Sequence, residues 1–492
     1  MQSKRDQVQA HLFVMGRLAT GMLRGEPDAP DVPTGRTSRG IVTGLVVAAL
    51  AALIAAVYGV LVPGGATGWK KPGTLVLVKE SGARYLYLDG ALHPVLNEAT
   101  ARLLAGDQLT VDQVSVHSLA DTPRGTPLGI PGAPDGLPQP ERLATAPWLA
   151  CASWQPDPSG TRRPRLALAV DPTTRGTALT DRQALLVAAP DGTQYLLWHG
   201  RRLRLDTRNG ARQALGQAAV TPQPVTQAFL DAVPAGPDLA APDLDQRGTP
   251  GPDLATRPTR LGQLFTGPGG DPYLLTPAGL TPLTEMALRL LLADPRTQQS
   301  AYQGSAATPA AIGAADLAAH TAPAAPGTTA LPTTVPELLT APQGRDLCTE
   351  LRPGDPAPTT TLTLVDDTAV QGPAPTAQPG LEAACTPADT IAVRPGGGAL
   401  VRALSTAGTG TTLYLVTDNG AKYPLASPAV AKQLGYGDVA PAGVPAALLA
   451  LLPTGPSLDP AALTGPTAGP ATGTAAATGT AATAAPGPAC AR

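Results

Sequence analysis

The stretch that decides the fold is residues 82–104, GARYLYLDGALHPVLNEATARLL. Its first part is an apolar run with tyrosine, typical of a strand, and Gly90 marks the turn that a hairpin requires. A second short strand follows around Pro94, where proline favours an edge strand. Asn97 then suits the N-cap of a helix. The segment therefore predicts a β-hairpin followed by a helix.

The same order of features recurs in three later stretches. These are GTQYLLWHGRRLRLDTRNGARQAL at 192–215, DPYLLTPAGLTPLTEMALRLLL at 271–292 and TTLYLVTDNGAKYPLASPAVAKQL at 411–434. The four copies share a strand tyrosine and a turn glycine. This repeat signature consists of Tyr85, Tyr195, Tyr273, Tyr414, Gly90, Gly200, Gly279 and Gly420. Internal similarity of this kind predicts one supersecondary unit used four times.

Each copy also carries signals for its helix. The expected N-caps of the later copies are Thr207, Thr284 and Ser427. Every helix has one basic residue at a similar place, and these residues are Arg102, Arg212, Arg289 and Lys432. We interpret them as the solvated edge of an amphipathic helix. A leucine follows each signature tyrosine at a similar distance, at Leu128, Leu239, Leu317 and Leu458.

Unequal spacing between the copies locates two insertions. The intervals between successive signature tyrosines are 110, 78 and 141 residues. We therefore expect inserted sequence at about 131–180 and 330–395. Strand-like runs occur in both insertions, at Arg165–Val170 and Thr361–Val365. The simplest arrangement joins the insertions into a central β-sheet domain with two repeats on each side.

The four cysteines fall in or after these insertions. Cys151 lies in the first, Cys348 and Cys385 lie in the second, and Cys490 is near the end of the chain. A disulfide between Cys151 and Cys348 would staple the two halves and contribute up to about 5 kcal/mol in the chain-entropy model. The alternatives are free buried thiols, or pairing of Cys385 with either of these two cysteines or with Cys490.

A membrane segment precedes the repeats. Residues 41–62, IVTGLVVAALAALIAAVYGVLV, carry no charge. As a helix they would extend about 33 Å, enough for a hydrocarbon core of about 30 Å. The run is longer than the core of a cleaved signal peptide and follows 40 polar residues, so we expect an uncleaved anchor. The positive-inside rule favours a cytoplasmic N-terminus only weakly, because lysines flank the far side too.

The N-terminal arm, residues 4–24, has the spacing of an amphipathic helix. Its apolar face comprises Val8, Leu12, Met15, Ala19 and Met22. Such a helix either lies on the inner leaflet or docks into a groove of a cytoplasmic partner. Residues 25–40 then form a linker rich in proline and glycine.

Composition and motifs exclude several classes of function. The net charge is −2, which provides no basic field for nucleic acid. The chain has no G-x-x-x-x-G-K-[ST], G-x-S-x-G, H-E-x-x-H or C-x-x-C motif, and its five histidines lack metal-ligand spacing. We therefore expect no catalytic site, cofactor or metal. Asp366-Asp367 is interpreted as a solvated turn. Residues 464–492 are mostly Ala, Thr, Gly and Pro, which predicts a disordered tail.

Two segments with the span between them resemble a known family. They are QVQAHLFVMGRLATGML at 7–23 and WKKPGTLVLVKESGARYLYLDGALHPVLNEATARLL at 69–104. In combination they are similar to EccB, a membrane core component of the actinobacterial type VII (ESX) secretion system. The resemblance extends from about Gln7 to Leu463. The Ala/Thr tail, Cys385 and Cys490 depart from the family pattern.

The resemblance implies an α+β fold in the inner membrane. It comprises an N-terminal cytoplasmic helix, one transmembrane helix and an elongated extracytoplasmic region of four β-hairpin/helix repeats around a central β-sheet domain. It places the family's central disulfide on Cys151 and Cys348. The implied partners are the EccC ATPase, EccD, EccE, the mycosin protease and further copies of the chain in a large complex. The implied cargo is proteins of the WXG100 and PE/PPE types.

The function expected from these features is that of a structural subunit of the secretion complex rather than an enzyme. The alternatives are a membrane-anchored ATPase or hydrolase of the same system and a cell-wall-binding repeat protein. The expected domains are 1–40 (arm and linker), 41–62 (span), 72–130 (repeat 1), 131–180 (central domain, first part), 181–245 (repeat 2), 258–325 (repeat 3), 330–395 (central domain, second part), 396–463 (repeat 4) and 464–492 (tail).

Overall fold

A computed structural model describes most of the chain. The described residues are 4–24, 34–61, 67–144, 147–156, 159–160, 162–174, 176–217, 219–254, 256–324, 331–354 and 357–464. The chain divides into two units. The first comprises Met1–Lys70, Val76–Ala83 and Asp112–Pro123, and the second comprises Lys71–Leu75, Arg84–Val111 and Arg124–Arg492. The predicted tail lies outside the described residues apart from Thr464.

The helices account for the smaller part of the regular structure. Their bounds are α1 Lys4–Arg24, α2 Thr34–Leu61, α3 Glu98–Ala105, α4 Ala211–Ala214, α5 Gln227–Ala232, α6 Glu285–Ala293, α7 Ala314–His320, α8 Pro428–Gln433, α9 Ala446–Leu449 and α10 Ala461–Thr464.

The strands supply most of the second unit. Their bounds are β1 Thr74–Val78, β2 Arg84–Leu88, β3 Ala91–Pro94, β4 Thr110–Val114, β5 Trp148–Pro156, β6 Arg162–Val170, β7 Thr177–Ala178, β8 Gln183–Ala188, β9 Gln194–Trp198, β10 Arg201–Arg204, β11 Gln223–Pro224, β12 Leu264–Thr266, β13 Pro272–Thr276, β14 Gly279–Pro282, β15 Ala310–Ala311, β16 Glu337–Leu339, β17 Arg345–Arg352, β18 Thr359–Asp366, β19 Thr390–Val393, β20 Gly398–Leu404, β21 Leu413–Thr417, β22 Lys422–Leu425 and β23 Ala442–Pro445.

The first unit contains the two long helices. Helix α1 has the same bounds as the arm in which the spacing predicts a helix. Helix α2 begins at Thr34, so the expectation of a linker up to Gly40 is wrong for its last seven residues. Thr34 follows Pro33, a residue that suits the start of a helix, and no proline interrupts the chain between Thr34 and the apolar run.

The four predicted hairpins are present as antiparallel pairs, β2–β3, β9–β10, β13–β14 and β21–β22. In repeats 2, 3 and 4 the sheet has two further strands that the sequence reading did not include. The first of them (β8, β12 or β20) precedes the hairpin and pairs with it. The second (β11, β15 or β23) follows the helix and pairs in parallel with the strand that precedes the hairpin. The second hairpin strand lies at the end of the sheet order, as its proline predicts in repeats 1, 3 and 4; β10 of repeat 2 has no proline.

Side-chain caps start two of the four repeat helices as predicted. The side chains of Asn97 and Thr284 accept hydrogen bonds from the backbone of α3 and α6. Ser427 precedes α8, but its side chain makes no such bond. Thr207 is not a cap: Asp206 caps a 3₁₀ turn in its place, and α4 begins only after Gly210.

The central sheet is built from both insertions. Its strand order is β19-β6-β5-β17-β18-β7, which combines strands from 148–178 with strands from 345–393. The strand-like runs predicted at 165–170 and 361–365 lie within β6 and β18. One expected boundary needs correction: residues 337–339, assigned to the central domain, form β16 and pair with β8 of repeat 2.

Three apolar clusters hold the repeats around this sheet. Ala99 and Leu103 of repeat 1 pack with the core of repeat 4, and α6 of repeat 3 packs with the core of repeat 2. Repeats 2 and 4 also contribute buried residues to the cluster on one face of the central sheet. The predicted α+β fold, with hairpin/helix repeats packed around a central sheet, is therefore confirmed.

Candidate functional site

In the first unit, the candidate site is the apolar side of α1. Its predicted residues, Val8, Leu12, Met15, Ala19 and Met22, are all exposed. The four large side chains among them are 54–83% exposed. At 3.6 residues per turn the five positions fall within a stripe of about 80° on the helix. A contiguous apolar stripe of this kind marks a surface that binds a partner or a membrane.

Exposed apolar side chains of α1 also lie beside and outside the predicted stripe. Leu18 extends the stripe along one side and is 52% exposed. Phe13 is 67% exposed and lies about 100° from Leu12 around the helix. The predicted stripe continues from Met15 to Ala19 rather than to Leu18, and Phe13 lies outside any single stripe that contains Leu12.

The signature tyrosines occupy equivalent places in the four hairpins. Each is half-buried on the first hairpin strand. Their cross-strand partners are Pro94 for Tyr85, Arg204 for Tyr195, Pro282 for Tyr273 and Pro424 for Tyr414. Directly opposite residues have Cβ atoms about 5 Å apart, so each ring lies beside its partner's ring or side-chain stem. The tyrosine signature therefore has a structural basis in the hairpin itself.

The signature glycines all have positive φ, between 70° and 123°. In repeats 1 and 2 the preceding residues, Asp89 and His199, are left-handed as well, which is the backbone of a type I′ hairpin turn. Gly200 has a second constraint, because a Cβ there would overlap the carbonyl of Thr360 in β18. Gly90 has open space around its Cα.

A disulfide joins the two insertions. Register places Cys348 of β17 directly opposite Cys151 of β5, with 3.9 Å between the Cα atoms. Both cysteines are completely buried. Cys490 lies outside the described residues, so its pairing with Cys385 stays a prediction.

Two buried carboxyl groups flank the disulfide on β17, and the sequence reading missed both. Asp346 and Glu350 are each 4% exposed and stand two residues before and after Cys348. Burial raises the pKa of Asp346 to about 7, and the negative charge of Asp367 acts in the same direction. Glu350 forms an ion pair with Arg352 at 2.5 Å. Asp367 is exposed in the turn after β18, in keeping with the predicted solvated turn, whereas Asp366 is the last residue of β18 and the prediction is wrong for it.

Repeat 4 contains a buried lysine that carried no sequence signal. Lys422 is 8% exposed, and its Nζ donates hydrogen bonds to the carbonyl oxygens of Leu449 and Leu452 at 2.8 Å each. These carbonyls lie at the C-terminal end of α9, where a cation is favoured. Burial lowers the pKa of Lys422 to about 8.

The basic residues of the repeat helices differ from one copy to the next. Arg289 and Lys432 are exposed, as the solvated-edge interpretation expects. Arg102 is half-buried and lies 3.6 Å from Glu98. Arg212 is half-buried and donates to the carbonyls of Gln217 and Val220, so for this residue the interpretation is wrong. Its guanidinium satisfies backbone groups that follow the short helix α4.

Little in the described part of the chain resembles a catalytic or metal centre. Its described residues include no group of three or more His, Cys, Asp or Glu side chains arranged to hold a metal ion. An open cleft in repeat 3 is lined by uncharged residues such as Gln246, Pro250 and Thr276, together with His320.

Fold and candidate sites together define the class of protein. It is a repeat-built α+β protein whose described residues include one helix, Arg39–Tyr58, long and apolar enough to cross a membrane. The chain matches the family described as "Type VII secretion system ESX-1, transport TM domain B" over residues 1–465. It therefore belongs to the EccB family of type VII secretion systems. The match confirms the resemblance seen in the sequence.

Curated relatives carry the family name. The chain is 30% identical over 340 residues to "ESX-2 secretion system ATPase EccB2" of Mycobacterium tuberculosis, covering 67% of this chain and 64% of the relative. It is 28% identical over 301 residues to "ESX-3 secretion system ATPase EccB3" of Mycolicibacterium smegmatis, covering 58% and 56%. The matched region thus spans less than two thirds of these relatives.

Solved structures share the fold. "Structure of an intact ESX-5 inner membrane complex" contains a chain with a TM-score of 0.66 at 22% identity, covering 99% of this chain and 98% of that one. "Structure of EccB3 dimer from the ESX-3 core complex" gives a TM-score of 0.63 at 24% identity, covering 79% and 99%. At these identities the similarity concerns the fold alone.

Proposed function

We propose that the chain is a structural subunit of a type VII secretion membrane complex. In this role it scaffolds the inner-membrane channel and its periplasmic face for export of WXG100- and PE/PPE-type proteins. The observation that carries the proposal is the family match over residues 1–465, which includes the arm, the candidate span and all four repeats. The proposed orientation puts α1 in the cytoplasm and the repeats outside, where the disulfide persists.

A scaffold accounts for how the repeats use their distinctive residues. The signature glycines form turns, the tyrosines pair across hairpins and the paired cysteines are buried. The relatives' names contain the word ATPase. The sequence has no P-loop motif to hold the phosphates of a nucleotide. An ATPase is the alternative function, and measuring nucleotide turnover by the purified chain distinguishes it from a structural subunit.

Helix α1 is the proposed docking element for the rest of the complex. Its stripe presents apolar side chains at three- and four-residue intervals, which is the spacing with which an amphipathic helix binds in a hydrophobic groove of a partner. The partners proposed for the chain are the EccC motor ATPase, EccD, EccE, the mycosin protease and further copies of the chain. Of these, the proteins with cytoplasmic or membrane-embedded parts are the ones that α1 would reach.

The test is mild-detergent extraction of the tagged full chain from its native membranes, followed by a native gel and mass spectrometry. The proposal expects a very large species that contains a multi-domain ATPase and a protein with many membrane spans. A monomer or simple dimer without partners would contradict it. ATP hydrolysis by the purified chain that persists when no partner motor is present would favour the enzyme instead.

A matched pair of variants tests the docking element. Leu12→Asp places a charge in the stripe, and Phe13→Asp places the same charge on another side of the same helix. The two side chains are 66% and 67% exposed, so the cost to the free helix is comparable. The proposal expects Leu12→Asp to abolish the large species and Phe13→Asp to retain it, with both variants still inserted in the membrane. Equal behaviour of the two would contradict docking through this stripe.

A further inference from the structure

One short segment covers part of the disulfide-bearing face of the central sheet. After β18 ends, the 3₁₀ turn Asp367–Val370 packs against β5 and β6 on that face. Val370 is 1% exposed and belongs to the same apolar cluster as Cys151 and Cys348. The segment therefore helps to keep solvent and solutes away from the disulfide.

The attachments of this segment are few. Val370 is its one fully buried residue, whereas Asp367 is exposed. At one end the Asp367 N–H donates to the carbonyl of Gly344 at 3.1 Å. Ala369 packs partly buried against the disulfide cluster, and three residues beyond the segment the Ile391 N–H donates to the carbonyl of Pro373 at 3.0 Å. A segment with so little buried surface can open locally while the sheet stays folded.

The charges around the segment are arranged unfavourably. Asp346 is buried on β17, directly opposite Val365 and two residues before Cys348, and Asp367 interacts with it electrostatically from the covering turn. Because Asp346 is buried, solvent screens its repulsion by Asp367 less than it would screen a pair of surface charges.

The other charged groups near Asp346 do not neutralise it. Arg345 directs its guanidinium to Asp366 at 3.4 Å and to the Leu364 carbonyl at 2.8 Å. Glu350, further along β17, is paired with Arg352. On β5 the nearby residue of the same face is the uncharged Ser153, and Arg165 opposite it on β6 is exposed.

We propose that Asp367–Val370 is a pH-dependent cover of the Cys151–Cys348 disulfide. Ionisation of Asp346, whose charge is repelled by that of Asp367, loosens this cover, so that reductants of the dithiol class gain access to the sulfurs. This inference is independent of the proposed secretion role. In the reaction, one thiolate of the dithiol attacks a cysteine sulfur, and the other cysteine leaves as a thiolate. The second thiol then displaces the first cysteine, so the dithiol is oxidised by two electrons as the protein disulfide is reduced.

The probe is tris(2-carboxyethyl)phosphine, whose phosphorus is oxidised to the phosphine oxide with one water while both cysteines become thiols. The full chain in detergent is reduced at pH 6 and pH 8, and Cys151 and Cys348 are followed by alkylation and peptide mass. Each rate of reduction is divided by the rate at which the same phosphine reduces oxidised glutathione at the same pH. This ratio removes the pH dependence of the phosphine itself. We expect the normalised rate to rise about tenfold from pH 6 to pH 8 in the native chain, and Asp346→Asn to abolish the rise.

Two valine variants separate local opening from global unfolding. Val370→Ala removes the anchor of the cover and should raise the rate about tenfold at both pH values. Val401→Ala removes the same two methyl groups from the cluster on the other face of the sheet and should leave the rate unchanged. Equal acceleration by both variants, or a rate that rises steeply with urea, would show reduction through global unfolding and overturn the cover. A pH-dependent rise that persists in Asp346→Asn would overturn its pH dependence.

Discussion

Glycine at the hairpin turns is selected by two separable constraints, backbone conformation and space. Gly90 and Gly200 have similar φ values, 80° and 70°. Only at Gly200 does the space for a Cβ coincide with the Thr360 carbonyl of a neighbouring sheet. The two positions therefore form a natural comparison.

Replacing each glycine with alanine should give unequal losses of stability. Gly90→Ala pays only for a left-handed alanine, about 1 kcal/mol. Gly200→Ala must also displace β18 or the turn, and we expect a loss of about 3 kcal/mol or more. Urea unfolding of the detergent-solubilised chain measures both. Equal losses would mean that repeat 2 and the central sheet are not in firm contact at this turn.

The buried Lys422 makes the free energy of unfolding depend on pH, and the direction of this dependence follows from its pKa. Its pKa is about 8 in the folded chain, below the ordinary value of 10.5. Between these pH values the folded chain binds fewer protons than the unfolded chain. The free energy of unfolding should therefore rise with pH over this window, by about 3 kcal/mol in total.

The matching variant is Lys422→Met, which retains the apolar stem and removes the titrating group. Urea unfolding at pH 7.5, 9 and 10.5 should show the rise in the native chain and none from this site in the variant. Identical pH profiles would place the Nζ in solvent rather than between the Leu449 and Leu452 carbonyls.

At the scale of elements, the sequence predicted what local signals encode. The hairpins follow from tyrosine-bearing apolar runs and turn glycines, and two helices start at the predicted caps, Asn97 and Thr284. The fourth strand of each repeat was not predicted because it is very short, only two residues in β11 and β15. It is a strand only through its parallel hydrogen bonds to a neighbouring strand, which the sequence does not encode locally. The same limit applies to Asp346 and Lys422, whose burial depends on distant segments.

The helix of repeat 3 should stabilise the structure through one face only. Leu290 of α6 is completely buried with the core of repeat 2, whereas Leu292 of the same helix is 37% exposed. Leu290→Ala should cost about 2–5 kcal/mol through lost burial and a cavity, and Leu292→Ala about 1 kcal/mol or less. Thermal unfolding of both variants checks this. A similar cost for the two would argue that repeats 2 and 3 do not share a core.

At the scale of the whole molecule, the spacing of the repeats alone predicted which segments join to form the central sheet. Unequal intervals between signature tyrosines located the insertions, and the structure joins those insertions in one sheet. The packing partners of each repeat could not be predicted, because leucines and alanines of all four copies are interchangeable in sequence. They became distinct only through tertiary contact, as with Leu103 in the core of repeat 4.

The Cys151–Cys348 disulfide is a covalent constraint across this assembly. Cys151 and Cys348 are separated by 197 positions, and the loop between them contains the hairpins and helices of repeats 2 and 3. In the chain-entropy model a loop of this length restricts the unfolded chain by up to about 5 kcal/mol.

The double variant Cys151→Ala/Cys348→Ala should therefore unfold at clearly lower temperature, with the loss falling on repeats and central sheet together. Native chain reduced under denaturing conditions and refolded serves as the control and should unfold like the variant. If the variant instead unfolds at the temperature of the oxidised native chain, packing alone sets the stability of the central sheet, and the bridge adds nothing to it.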